Sequence, residues 1–215
     1  MAKNNIIFLC FLSAAFLIIL FHFLFHPIRV LGMSTSIFYL DEQITLSAFY
    51  TIVTAFLTGF LSLNLADKLK KGNEKLFWSA LGGFFLLLSI DEYLEIHEYI
   101  NTLVKLSLRQ GSLASRLAHF SWIFPLFLVV LSFLALFVWG TVNEKNSQVK
   151  SALVSGTFLF VIVLIFEVLG ALIFGKHIYL YFVAIEEGAE MLGTTFFLFG
   201  VLNKKESLET KLKPA

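Results

Sequence analysis

The sequence predicts an all-α integral membrane protein, a six-helix bundle with both ends of the chain in the cytoplasm. Three observations carry that expectation. Of the 215 residues 58% are hydrophobic and 14% charged, far from the usage of a soluble domain. The apolar runs are close to twenty residues long, as a helix needs to cross hydrocarbon, and not strand-length. The basic residues, finally, gather on one side of the alternation that six such runs impose.

The first expected span, 6–25, follows a short polar start. A signal peptide has a similar look, but the run is long and no small-x-small cleavage pattern follows it, so a retained helix is expected. The second, 44–66, ends in the polar run Asp67-Lys68-Leu69-Lys70-Lys71-Gly72. The remaining spans are expected at 76–100, 118–140, 151–174 and 180–202. Connections are short, there is no internal repeat, and residues 1–202 read as a single domain. The polar stretch 203–215 is expected to be a loose cytoplasmic tail.

Orientation follows from Lys and Arg. The N-terminal side carries eleven: Lys3, Lys68, Lys70, Lys71, Lys75, Lys145, Lys150, Lys204, Lys205, Lys211 and Lys213. The other side carries five: Arg29, Lys105, Arg109, Arg116 and Lys176. That asymmetry places the termini inside, in the manner of a bacterial inner-membrane protein. A net charge of +1 offers nothing to nucleic acid. The single cysteine, Cys10, cannot form an internal disulfide. Membrane lipid is the expected partner, with a homo-oligomer or a larger membrane assembly open.

The acids run the other way. Asp41, Glu42, Asp91, Glu92, Glu95, Glu98, Glu167, Glu186, Glu187 and Glu190 lie in the outer half, as do His22, His26, His97, His119 and His177. Carboxylates inside a span are expensive and point to function. At ~1.5 Å per residue, Asp91 and Glu190 both reach ~15 Å below the outer surface. Glu95, Glu167, Glu186 and Glu187 reach ~9–10 Å by the same rise. Three helices thus deliver carboxylates to matching depths. Asp91, Glu95 and Glu98 share one helical stripe, with His97 and Glu92 on its flanks. Glu167 shares its face with Gly156, Gly170 and Ala171, small residues that admit a neighbouring helix. In the second span Gln43, Ser47, Thr51, Thr54, Thr58 and Ser62 form a continuous polar stripe, expected to face inward as packing contacts or as a path.

So many carboxylates at one depth repel unless protons, a metal ion or a cationic cargo neutralises them. No lysine or arginine is placed in the spans to do so. Carboxylates and an imidazole projecting from several helices resemble the way dimetal carboxylate bundles are built, although their paired Glu-x-x-His is absent. The expected metal ligands are Asp91, Glu95, His97, Glu98, Glu167, Glu187 and Glu190, with Glu92, His119 and Glu186 as further candidates. Oxygen-rich ligation with one imidazole favours iron or manganese over zinc. Tyr93, Tyr99, Tyr179 and Tyr181 are near enough in sequence to donate hydrogen bonds. Such a centre would suit a metal-dependent oxidoreductase or hydrolase acting on a lipid-like or small substrate; no catalytic residue stands out. The alternative is a proton- or cation-coupled transporter using the same carboxylates. Plainer readings exist for each part: a helix end emerging into water for Asp91, Glu92 and Glu98, a structural hydrogen-bonded cluster for Glu167, Glu186, Glu187 and Glu190, and an interfacial place for His119. No Walker loop, serine-nucleophile motif, haem-type histidine pair or retinal lysine is present.

The pattern Ser89-x-Asp91-Glu92-x4-His97-Glu98, then Glu167-x2-Gly170, then Glu186-Glu187-x2-Glu190-x2-Gly193 resembles a set of uncharacterised bacterial multi-pass membrane proteins. The likeness covers about residues 41–193. It implies that Asp91, Glu92, His97, Glu98, Glu167, Glu187 and Glu190 matter as a set, and it brings no activity, substrate or cofactor with it.

Overall fold

The computed structural model describes residues 2–25, 45–107, 123–173 and 178–212. The described residues form seven helices and no strand: α1 Ala2–Phe25, α2 Leu46–Lys68, α3 Asn73–Leu94, α4 Ile96–Ser107, α5 Ile123–Asn143, α6 Ser147–Ile173 and α7 Tyr179–Leu212. His26, Asp41, Glu42, Gln43, His119 and His177 lie outside the described residues. Four helices are long and apolar enough to cross a membrane, over Lys3–Leu24, Leu46–Lys68, Asn73–Leu94 and Ser147–Gly170. An apolar stretch of α5, Leu128–Asn143, is shorter, and the 34-residue α7 carries three glutamates in its first half.

Helix ends are set by local chemistry. The Thr45 hydroxyl accepts from Ala48 N at 3.1 Å and caps α2. Gly72, at φ 147°, makes the turn into α3 in a backbone region that side chains rarely enter. Asn146 Oδ1 accepts from Gln148 N at 3.0 Å to open α6 after a three-residue connection.

In lipid, helices associate by close packing and hydrogen bonding, because hydrocarbon offers no hydrophobic gain over a helix surface. The contacts are of that kind. Gly59 of α2 and Gly82 of α3 face one another so closely that a Cβ on Gly59 would stand 2.9 Å from the Gly82 carbonyl oxygen, and one on Gly82 3.0 Å from that of Gly59. Gly156 of α6 lies under the Phe197 ring of α7. Around these pairs a buried aromatic core forms from Phe77, Trp78, Phe85, Phe137, Phe160 and Phe197. The rings of Phe85 and Phe137 stand 5.0 Å and 4.8 Å from that of Phe197.

A smaller cluster, with Ala15, Ile18, Tyr50, Val183 and Met191, joins α1 and α2 to α7. There the Tyr50 hydroxyl donates to Phe11 O at 2.9 Å and meets the Thr195 hydroxyl at 2.6 Å. Thr54 and Thr194 meet at 2.9 Å. Ser47, Thr51, Thr54, Thr58 and Ser62 are all buried, so the polar stripe of α2 does face the bundle.

Two elements differ from the sequence expectation. Between 76 and 100 the chain forms two helices, because Glu95 adopts the left-handed conformation (φ 53°, ψ 41°) and ends α3. The expected loose tail is helical as far as Leu212, because it is tied down. Lys204 binds Glu74 and Glu144 at 2.6 and 2.7 Å, and Asn4 Nδ2 donates to Glu206 Oε2 at 2.8 Å.

Candidate functional site

A cavity of about 380 Å³ opens between α3, α5, α6 and α7. Its lining comes from five helices. α3 contributes Asp91 and Glu92, α4 contributes His97, α6 contributes Glu167, and α7 contributes Glu186, Glu187 and Glu190. The apolar lining is Val129, Val130, Phe133, Leu134 and Phe137 of α5, with Phe84, Leu88, Phe160 and Val163. No lysine or arginine lines it among the described residues. The lining is therefore part acidic and part hydrocarbon and aromatic ring.

Asp91 is the best-defined of these side chains. Its Oδ2 lies 2.7 Å from His97 Nδ1, and its Oδ1 accepts from the His97 backbone N–H at 3.1 Å. Both contacts follow from the break at Glu95. Ending α3 there leaves α4 with uncapped N–H groups at its start, and the preceding carboxylate turns to cap them. The ring contact then sets which imidazole nitrogen faces the carboxylate.

The Glu186 side chain of α7 reaches toward α6: its Oε2 stands 3.8 Å from where a Cβ on Gly170, one turn beyond Glu167, would lie. Nearby, the Ser89 hydroxyl donates to Ile52 O at 3.0 Å and ties this end of α3 to α2.

Seven of the ten sequence-derived candidates line this one cavity: Asp91, Glu92, His97, Glu167, Glu186, Glu187 and Glu190. Glu95 and Glu98 do not: Glu95 occupies the break between helices, and Glu98 is exposed on α4. His119 lies outside the described residues. Tyr93, Tyr99 and Tyr181 are exposed and off the cavity wall, because the helix turns them away from the acidic face. Among the described residues no group of three or more His, Cys, Asp and Glu side chains is placed to hold a metal ion.

Sequence reasoning did not foresee the apolar wall. Its signal was the complete absence of charge from α5, which reads equally well as lipid contact. Nor did it foresee a second polar centre at the opposite end of the bundle. There Lys204 of α7 joins Glu74 at the start of α3 and Glu144 after α5, beside a cavity of about 580 Å³ lined by Phe77, Trp78 and Trp139. Burial works against the Lys204 charge, but the hydrogen bonds to Glu144 and Glu74 outweigh it and raise the pKa above the ordinary lysine value. This cavity is larger and is lined by two lysines, Lys145 and Lys204, of which Lys204 is matched by two carboxylates. The acidic cavity gathers seven titratable side chains, and no lysine or arginine lines it among the described residues.

The chain belongs to a family described as a domain of unknown function, DUF8692, which matches residues 6–204. No curated protein and no solved structure matches it. The matched region includes every helix that lines the acidic cavity.

Proposed function

We propose that this protein is a six-span carrier of the bacterial inner membrane, with both termini cytoplasmic, that binds an amphipathic cation in its acidic cavity in exchange for protons. The spans are 6–25, 44–66, 76–94, 118–140, 151–174 and 180–202, and the cavity lies in the outer half, toward the periplasm. One observation carries the reading: carboxylates from three helices line one cavity together with phenylalanine and aliphatic side chains, with no lysine or arginine among the described residues that line it. Ionised carboxylates in a low-dielectric layer each cost several kcal/mol unless neutralised. Protons neutralise them when the cavity is empty. An organic cation does so when it is full, its apolar body lying against Phe84, Phe133, Phe137 and Phe160. The volume, about 380 Å³, suits a small organic molecule. Phenylalanine faces add cation–π attraction.

The exchange balances in charge: a cation enters, and a proton leaves a carboxyl group for bulk water. A divalent ion, iron or manganese before zinc, is the other occupant that such acids suit. It would require the side chains to regroup around one point.

The test is calorimetric titration of the purified protein in lipid nanodiscs with tetraphenylphosphonium, in two buffers of different ionisation enthalpy. Binding with net proton release, lost in Glu190→Gln, is the expected result. Absence of binding, or binding without proton release, overturns the exchange. Elemental analysis of the same preparation, made without chelator, decides the rival. Stoichiometric iron, manganese or zinc that disappears in an Asp91→Ala/Glu190→Ala double variant would assign the cavity to a metal.

A further inference from the structure

The break at Glu95 has a second consequence, and it concerns the membrane surface. α3 has 22 residues, so at ~1.5 Å per residue it is about 33 Å long, enough to cross the hydrocarbon layer once. Its end at Leu94 therefore stands at the membrane boundary, and the chain changes direction there. The next helix, α4, is strongly amphipathic. Its Ile96, Tyr99, Leu103 and Leu106 recur at intervals of three, four and three, and all are exposed (42, 65, 49 and 80%). Asn101, on the opposite side of α4, is fully buried. A soluble helix would put its apolar stripe inward and its asparagine outward. α4 does the reverse.

We infer that α4 lies in the outer membrane–water interface and docks its Ile96–Leu106 stripe into lipid, forming the outer lip of the cavity. The stripe continues the lipid-facing surface of α3, where Leu87, Ile90 and Leu94 are also exposed. Short amphipathic helices of this design sit ~5–10 Å into the headgroup and acyl boundary. Tyrosine, here Tyr99, is favoured at that level. Ile96 and His97 belong at once to α4 and to the cavity wall, so the seam between lipid and cavity runs along the first turn of α4. Asp91 clasps that turn from inside through its two contacts to His97. A molecule partitioned into the outer interface thus meets the cavity at its lip. The placement of α4 depends on the membrane setting and not on what the cavity holds.

The experiment uses the full chain in a Cys10→Ser background, with a nitroxide label at Leu103→Cys, Leu106→Cys or Glu98→Cys, in phosphatidylethanolamine/phosphatidylglycerol nanodiscs. All three positions are exposed, so the labels are tolerated by the fold. Collision rates with oxygen, which concentrates in lipid, are compared with those of a water-soluble nickel chelate. Oxygen dominates at 103 and 106 and the chelate at 98 if the stripe is in lipid. Chelate-dominated collisions at all three positions would place α4 in water and overturn the inference. Shielding of 103 and 106 from both reagents would overturn it too, showing that protein covers the stripe.

Discussion

The Asp91 carboxylate holds His97 twice, by the backbone N–H at 3.1 Å and by ring Nδ1 at 2.7 Å. One side chain thereby caps α4 and fixes the imidazole at the cavity wall. The two roles separate by substitution. Asp91→Asn keeps an oxygen for the cap but loses the charge facing the ring, whereas Asp91→Ala loses both. Loss of an N-cap costs typically ~1 kcal/mol. Asp91→Ala should therefore lower the thermal midpoint in detergent, with Asp91→Asn close to the parent. Both should weaken tetraphenylphosphonium binding. If Asp91→Asn proves as unstable as Asp91→Ala, the ring contact and not the cap holds α4 in place.

The glutamates predict the opposite balance between stability and binding. Glu186, Glu187 and Glu190 line the cavity with Glu167, and no lysine or arginine lines it among the described residues. Replacing Glu190 by Gln removes a charge that must otherwise be neutralised. Glu190→Gln should leave the thermal midpoint unchanged or raised, and lose proton release on cation binding. A clear fall in midpoint would identify Glu190 as a structural member of the bundle.

Much of this wall was legible in the sequence, for one physical reason. A carboxylate cannot hide in hydrocarbon, so acids flanked by apolar residues at equal depth on separate helices must find one another. Counting residues from the expected helix ends set Asp91 level with Glu190, although the break leaves Asp91 only three residues from the end of α3. The break at Glu95 was not legible. Left-handed residues are announced by Gly or Asn, and this one is a glutamate. Without the break, Glu95 and Glu98 seemed to continue the stripe of Asp91; with it, Glu98 is turned out of the cavity. The tie at Lys204 was hidden for another reason. A lysine after the last span reads as positive-inside bias, and only the fold reveals the two carboxylates beside it.

The glycine contact between α2 and α3 gives a test of the scaffold apart from the site. A Cβ on Gly59 would stand 2.9 Å from the Gly82 carbonyl, whereas one on Gly83, a neighbour on α3, meets nothing within 4 Å. Overpacking of this kind costs about 1–3 kcal/mol, while Gly→Ala at an open helical position gains up to ~1 kcal/mol. Gly59→Ala should lower the thermal midpoint and Gly83→Ala should hold or raise it. Equal midpoints would mean that α2 and α3 separate at little cost.

Lys204 supplies the last test, far from the acidic cavity. Its ammonium is 16% exposed and bridges Glu144, 6% exposed, to the more accessible Glu74. Removing one partner of a buried pair costs ~3–5 kcal/mol by leaving the other charge unmatched. Because Glu74 is half exposed, Lys204→Met should fall near the lower end, and its readout is the thermal midpoint. Restoring the balance with Glu144→Gln in the same chain should recover part of the loss. The pH dependence has a definite sign. A folded-state pKa above the ordinary 10.5 means that the lysine's stabilisation is complete below that value. It is lost only as pH rises through the higher folded value. The midpoint difference between parent and Lys204→Met should therefore be constant across neutral and mildly alkaline pH and shrink beyond 10.5. A difference that already vanishes at pH 8 would show that the ammonium is not what joins α3, α5 and α7 at this end.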